Sequence, residues 1–218
     1  MKVLGLDEAG RGSVVGPLVI AGVLIEESDS KKFKKMEIKD SKLLTKNARE
    51  NLFPQIKKIS LNYKIINVDS KEIDQRFSVN TNLNQLEAIK FSEIINELKP
   101  DIAIIDCPTK NTERFGNYMK KFIENDCELK CENFADKNHL EVGAASILAK
   151  VTRDREIKKI EKNIGEEIGT GYPSDPITLK FVEKTLENKD WLNKYIRKTW
   201  LTFQRIKGEK EQKTISEF

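Results

Sequence analysis

Val3-Leu4-Gly5-Leu6-Asp7-Glu8-Ala9-Gly10-Arg11-Gly12 is a short apolar run that delivers two adjacent acids into a glycine-flanked turn, with an arginine between the glycines. The apolar residues just ahead of the acids read as the end of a buried strand. Gly10 and Gly12 permit backbone conformations that other residues resist and let the chain approach a ligand closely. Acids beside an arginine point to a metal and a phosphate at one place. A strand end followed by a solvated charged turn accounts for the same ten residues equally well, so the decision rests on what the rest of the chain adds.

Working outward, residues 14–25 are rich in β-branched side chains and read as a long central strand. The short connection from the first strand favours an antiparallel hairpin. The lysine-rich stretch 30–37 suits a solvated helix or loop. Thr45 is placed to cap a helix over 46–59, and 63–68 is a third strand. Thr81 and Asn82 cap a helix carrying Leu86, Ile89, Ile94, Ile95 and Leu98 near helical period, which Pro100 stops. Residues 102–106 form a compact apolar strand that also ends in an acid, and helix followed by strand predicts a crossover to a parallel neighbour. A helix over 113–124, a fifth strand over 129–134 leading to Asp136, and a long helix over 140–162 complete an α/β pattern. Gly169 to Pro176 is the clearest break, and a basic, aromatic-bearing helical part follows it. The expected organisation is an α/β domain over 1–168, a C-terminal helical part over 169–207 and a charged flexible tail over 208–218.

Composition narrows the chemistry. The chain has 218 residues, 34% of them charged, and a net charge of only +4, so the distribution of charge matters more than its sum. No apolar run reaches the roughly 18 residues of a membrane span, and the start lacks a cleavable leader pattern, so a cytoplasmic protein is expected. Cys107, Cys127 and Cys131 show no CxxC spacing and read as reduced thiols. One histidine, His139, leaves no His-based zinc site and no serine triad, so any catalysis falls to carboxylates. Asp7 and Glu8, Asp106 and Asp136 all lie at or just after strand ends, where ligands bind in open α/β sheets. Neighbouring strands are about 4.8 Å apart, so Asp7 and Asp106 on adjacent strands would share a Mg²⁺, which takes oxygen ligands. Singly, each acid has a plain structural use: Asp106 as a turn residue, Asp136 as a cap for the helix at 140. Glu8 points away from Asp7 by strand alternation unless the strand bends.

These motifs, in order, resemble type 2 ribonuclease H, and most of all the archaeal ribonuclease HII branch. The resemblance is carried by Asp7 to Gly12 with Gly16-Pro17, Asp40-Ser41-Lys42, Asp106, Ala144 to Lys150 with Arg153-Asp154, and Gly169 to Pro176. It spans residue 3 to about residue 206 and implies an RNase H-like mixed five-stranded sheet flanked by helices, with a C-terminal helical extension. The implied activity is endonucleolytic cleavage of RNA in RNA–DNA hybrids and incision 5′ to a single ribonucleotide in duplex DNA. By position, Asp7, Glu8, Asp106 and Asp136 match the four metal-binding acids, holding Mg²⁺ or Mn²⁺, two ions when substrate is bound. Gly10, Arg11 and Gly12 match the segment that inspects the ribose 2′-hydroxyl, and Tyr172 the tyrosine at the RNA–DNA junction. Ser41 and Lys42, with Ser146 and Lys150, correspond to regions near substrate phosphates. Where the family usually has a basic or His residue before Ala-Asp and Lys-Tyr-Pro after it, this chain reads Asn133 to His139.

In the C-terminal part, Lys194, Arg197, Lys198 and Arg205 interleave with Trp191, Tyr195, Trp200 and Phe203. Basic residues on one face would bind duplex; an amphipathic helix with core aromatics fits the same pattern. Gln212, Ile215 and Phe218 resemble a shortened motif for the PCNA sliding clamp. Beyond clamp and nucleic acid, a monomer is expected. Two other classes fit parts of the pattern: a phosphate-accepting receiver domain with Asp106 as acceptor, and a nucleic-acid-binding module that cuts nothing.

Overall fold

The computed structural model describes residues 1–36, 38, 44–187 and 190–216. Five strands form one mixed sheet in the order β3-β2-β1-β4-β5: β1 (Lys2–Ala9), β2 (Leu18–Glu26), β3 (Asn62–Val68), β4 (Ile102–Asp106) and β5 (Glu128–Glu132). β1 and β2 are the expected antiparallel pair, from Lys2↔Glu26 to Ala9↔Val19. β1 runs parallel to β4, from Val3↔Ile102 to Leu6↔Ile105, and β4 runs parallel to β5. That register carries Asp7 and Asp106 to the next rung of one ladder.

The described helices are α1 (Ser30–Lys34), α2 (Lys46–Ile59), α3 (Ser70–Gln75), α4 (Leu83–Leu98), α5 (Thr112–Met119), α6 (Ala135–Asn138), α7 (Leu140–Ile164), α8 (Pro176–Thr185) and α9 (Leu201–Ser216). Their starts are chemically determined. The Thr45 hydroxyl accepts from Ala48 N, and Asn82 with Gln85 forms a reciprocal capping box at α4. Asp175 caps α8, with Pro176 at its first position.

The chain divides into two compact units. One comprises Met1–Ala9, Val19–Asn67 and Thr81–Thr152; the other comprises Gly10–Leu18, Val68–Asn80 and Arg153–Phe218. In the first, Val3, Val19, Val23, Ile102 and Ile104 of the sheet pack with Val142, Ala145 and Leu148 of α7. α7 lies so close to β1 that a Cβ on Gly5 would sit 2.2 Å from the Glu141 carbonyl carbon. The second unit has its own core of Val14, Val15, Ile157, Ile168, Phe181, Leu192, Ile196 and Phe203.

Several element ends differ from the sequence expectation, each for a local reason. β2 begins at Leu18 rather than residue 14, because Gly16 at φ +87° and Pro17 break the strand. α5 stops at Met119 rather than running to 124, because Asn96 donates to Phe122 O and accepts from Glu124 N, holding that stretch out of helix. β5 ends at Glu132, ahead of Phe134 in the left-handed region at φ +61°. Where a flexible tail is expected from residue 208, α9 runs on to Ser216, with Arg205–Glu209 and Lys207–Glu211 pairs along it. Among the described residues no helix is long and apolar enough to cross a membrane.

Replacing Gly5 by alanine is predicted to cost about 3 kcal/mol or more, since backbone rather than a movable side chain fills the space. Gly208→Ala, in open helix, should stabilise by about 0.5–1 kcal/mol. Denaturant midpoints of the two variants check both signs.

Candidate active site

Parallel pairing of β1 with β4 brings Asp7 and Asp106 to the same end of adjacent strands, and the short α6 supplies Asp136. One carboxylate oxygen from each lies within 4.8 Å of the others, with Asp7 and Asp136 buried and Asp106 half-buried. The strand ends are stitched locally: Ala135 N donates to Asp106 Oδ1 at 3.1 Å, and Glu8 N donates to Asp7 Oδ1 at 2.7 Å. Glu8 stands outside this trio among the described residues, as strand alternation requires. Its charge is felt instead at Cys107, where burial first, and Glu8 and Asp106 after it, push the thiol pKa up. All three cysteines are free thiols.

Asp7 carries the electrostatic cost of this arrangement. Burial, and then the neighbouring Asp106, raise its pKa to about 7, against a hydrogen bond from Ser146, the charge of Lys150 and the Glu8 amide. Lys150 Nζ donates to Ser146 Oγ at 2.6 Å, so lysine, serine and aspartate form one chain along the first turns of α7. Three carboxylate oxygens, two from buried acids and one from a half-buried acid, with Asp7 reluctant to ionise, are a hard, oxygen-only donor set that suits Mg²⁺ or Mn²⁺ and needs no thiol or imidazole. The segment from Asn133 to His139 frames Asp136. Asn133 Nδ2 donates to Cys107 O and Thr109 O, and His139 Nε2 lies 2.9 Å from Glu132 Oε2 and its Nδ1 3.7 Å from Glu141 Oε1. His139 thus ties the end of β5 to the start of α7.

The glycine turn lies in the second unit with a different set of partners. Gly10 is left-handed at φ +84°, and a Cβ there would sit 2.6 Å from Pro17 O. Ser13 closes the turn by donating through both N and Oγ to Gly10 O. Val14 N and Val15 N donate to Gly171 O, which binds this loop to the Gly169–Pro176 turn and brings Tyr172 against Gly12. Arg153, buried, holds the junction: its guanidinium lies 4.6 Å from the Tyr172 ring centroid, donates to Thr170 O and packs on Gly10. Arg197, fully buried, donates to Gly16 O through Nε and Nη2 and to Arg11 O through Nη1. Arg197 is therefore no surface phosphate contact; with three bonds to loop carbonyls it has become part of the loop's frame. Lys194, Lys198 and Arg205 remain exposed.

The structure thus brings Asp7, Asp106, Asp136, Ser146 and Lys150 together in one unit, and Gly10, Arg11, Gly12 and Tyr172 in the other. Ser41, Lys42 and Phe218 lie outside the described residues, as does the Ile215 side chain; Gln212 is exposed on α9. Reading the sequence missed Arg153 and Arg197 as organisers, and an isolated arginine gives no periodic signal that it will be buried.

Carboxylates gathered from the ends of two parallel strands and from α6, with a serine and a lysine beside Asp7, define a metal-dependent nuclease on a mixed α/β sheet. The ribonuclease HII family model matches residues 4–203. A ribonuclease HII of Thermococcus sibiricus is 42% identical over 215 residues, covering 98% of this chain and 94% of that protein. The crystal structure of ribonuclease H2 from Pyrococcus horikoshii OT3 superposes with a TM-score of 0.88 at 39% identity, covering 96% of this chain and 98% of that one. The ribonuclease in a PCNA:RNase HII complex from Archaeoglobus fulgidus gives 0.83 at 34%, covering 92% and 95%. The chain belongs to the ribonuclease HII family. A receiver domain is excluded as well by the antiparallel β2, since receiver sheets are parallel and doubly wound.

Without metal, the raised Asp7 pKa makes stability pH-dependent with a definite sign. The folded state keeps a proton that the unfolded chain releases near pH 4, so this contribution is full below about 4 and is lost as pH rises through about 7. Asp7→Asn should therefore raise the melting temperature of the metal-free protein above pH 7, and the difference from wild type should shrink toward pH 4. Thermal melts in chelator across that range check it. Arg153→Met should loosen both turns at once, lowering kcat/KM on a single-ribonucleotide duplex about tenfold, since a desolvated cation–π contact contributes about 1–2 kcal/mol. Mn²⁺ affinity of the same variant should stay unchanged.

Proposed function

We propose that this chain cuts RNA in RNA–DNA hybrids and incises 5′ to a single ribonucleotide embedded in duplex DNA, with Asp7, Glu8, Asp106 and Asp136 holding Mg²⁺ or Mn²⁺. The observation that carries the reading is the meeting of Asp7, Asp106 and Asp136 oxygens within 4.8 Å in a member of the ribonuclease HII family. Held by these acids, divalent ions would supply activation of a water and stabilisation of the leaving 3′-oxygen in an in-line displacement, so that the products would carry 3′-hydroxyl and 5′-phosphate ends. Asp7, Asp106 and Asp136 present their oxygens from fixed strand and helix ends, and Glu8 joins them by its place in the motif. Ser146 orients the Asp7 carboxylate by donating to it, and Lys150 favours its ionised form against burial and offers positive charge to a nearby phosphate.

Recognition falls to the second unit. RNA differs from DNA at a given position only by the 2′-hydroxyl, so a backbone able to come within hydrogen-bond reach of one ribose is a requirement of the task. Gly10, Arg11 and Gly12 are assigned this role, because the left-handed Gly10 turns the chain sharply and the exposed Gly12 has no side chain to keep a ribose away. The Tyr172 ring, backed by Arg153, is set to stack on the sugar of the following nucleotide. Ser41 and Lys42 are assigned to substrate phosphates, and residues 169–207 to holding the duplex. Such an enzyme serves ribonucleotide removal and processing of replication primers. We assign Gln212, Ile215 and Phe218 to a sliding clamp, supported by the PCNA complex of the Archaeoglobus fulgidus relative.

A DNA duplex carrying one ribonucleotide, incubated with Mg²⁺ or Mn²⁺, should be incised 5′ to it by wild type and not by Asp7→Asn. Absence of incision by wild type with both metals would contradict the proposal. Deletion of 212–218 should abolish clamp binding in a pull-down with PCNA and leave cleavage intact; undiminished clamp binding would remove the tail assignment.

A further inference from the structure

The same unit that carries the acids contains an open cavity of about 480 Å³ that the metal chemistry does not use. It lies where the N-terminus of α4, the loop after β4 and the N-terminus of α5 converge. Thr109, three residues beyond Asp106, lines it. The Thr109 carbonyl accepts from Asn133, three residues ahead of Asp136, so the wall of this cavity and the frame of the acid cluster are one bonded structure.

Its chemistry has one sign. No lining residue is acidic. Asn82 and Gln85 spend their side-chain oxygens on each other's backbone N–H, and Asn111 spends its oxygen on Arg114 N as the cap of α5. With each oxygen already accepting a cap bond, these carboxamides still have the NH₂ group to donate to a ligand. Arg114 and Asn117, three residues apart on α5, line it, and Lys121 joins them from the turn that follows the helix. Among the described residues neither Arg114 nor Lys121 forms an ion pair, and both are exposed. A lining with several NH₂ donors, two cations that have no ion-pair partner among the described residues and no acid suits a ligand rich in acceptors and negative charge. Lys121, 5.5 Å from the Tyr118 ring centroid, stays charged.

From this we infer that the cavity binds the phosphodiester backbone of the substrate duplex on a flank of the cleavage site. The inference rests on the proposed nuclease function and adds to it a second anchoring point. Amide and guanidinium donors to phosphate hold position without reading sequence, which is what an enzyme directed by one ribose requires of its flanking contacts. A free phosphate or nucleotide shares the same chemistry, and the test separates the two sources.

The experiment compares wild type with the Arg114→Gln/Lys121→Gln double variant, both positions being exposed, so that the fold is kept. Equilibrium binding is measured with Ca²⁺ in place of the catalytic metal, as a function of salt, on a long ribonucleotide-containing duplex and on one trimmed close to the ribonucleotide. Each lost phosphate contact lowers the slope of log K against log salt by about 0.9, so the variant's slope should fall by nearly 2 on the long duplex and stay unchanged on the trimmed one. Its turnover at saturating substrate should match wild type. An unchanged slope on the long duplex overturns the inference, including when inorganic phosphate titrated alone shifts the Asn82 and Asn111 amide resonances, for the cavity would then take free phosphate. A fall in turnover with no change in slope also overturns it. Binding is read apart from cutting, so a wild type that binds the long duplex but does not incise it contradicts the nuclease reading and leaves the slope comparison decisive for this one.

Discussion

The crowding of carboxylates around the buried Asp7 is the constraint on which this structure turns. Asp7 and Asp106 reach the same end of adjacent parallel strands, and the head of α6 adds Asp136 to them. Without a cation, burial and then the crowding by Asp106 push the Asp7 pKa to about 7, with Ser146 and Lys150 set against the rise. A folded chain does not maintain such a cluster for stability, because each buried charge is paid for in desolvation. The arrangement makes sense as a standing site for a divalent ion, and the sheet, the register and the close seat of α7 on Gly5 hold it in place.

The chain leaves the acid-bearing unit at Ala9 and enters the other at Gly10. The Asp7–Glu8 pair and the glycine turn thus belong to different units, and each has its own frame. The acids depend on parallel strand pairing and α7. The glycine turn depends on two buried arginines, Arg153 and Arg197, which donate to the carbonyls of Thr170, Gly16 and Arg11. A positively charged side chain is well suited to that task because a guanidinium presents five donors in a fixed fork. The same property that would make these arginines good phosphate ligands has been turned inward.

Much of this was legible in the residues. Alternating and compact apolar runs placed all five strands, and the acids at the ends of 102–106 and of the first strand needed only the predicted parallel crossover to meet. Asn82 and Thr45 announced their helices through capping chemistry. What stayed hidden depended on contacts distant in sequence. Val14 and Val15 have strand-forming side chains, but Gly16 and the bonds to Gly171 hold them in a loop. Arg197 reads as surface charge until the loop carbonyls that it serves are in place. The donor-lined cavity was invisible because its residues come from two helix caps whose convergence only the fold creates.

The central claim is that Asp7, Asp106 and Asp136 together hold a divalent ion. Anomalous diffraction from crystals grown with Mn²⁺ tests it most directly. The account predicts a strong peak at direct coordination distance from the carboxylates of all three residues, lost in crystals of Asp7→Asn. Saturating Mn²⁺ with no peak among these side chains, or a peak coordinated elsewhere on the surface, would contradict it.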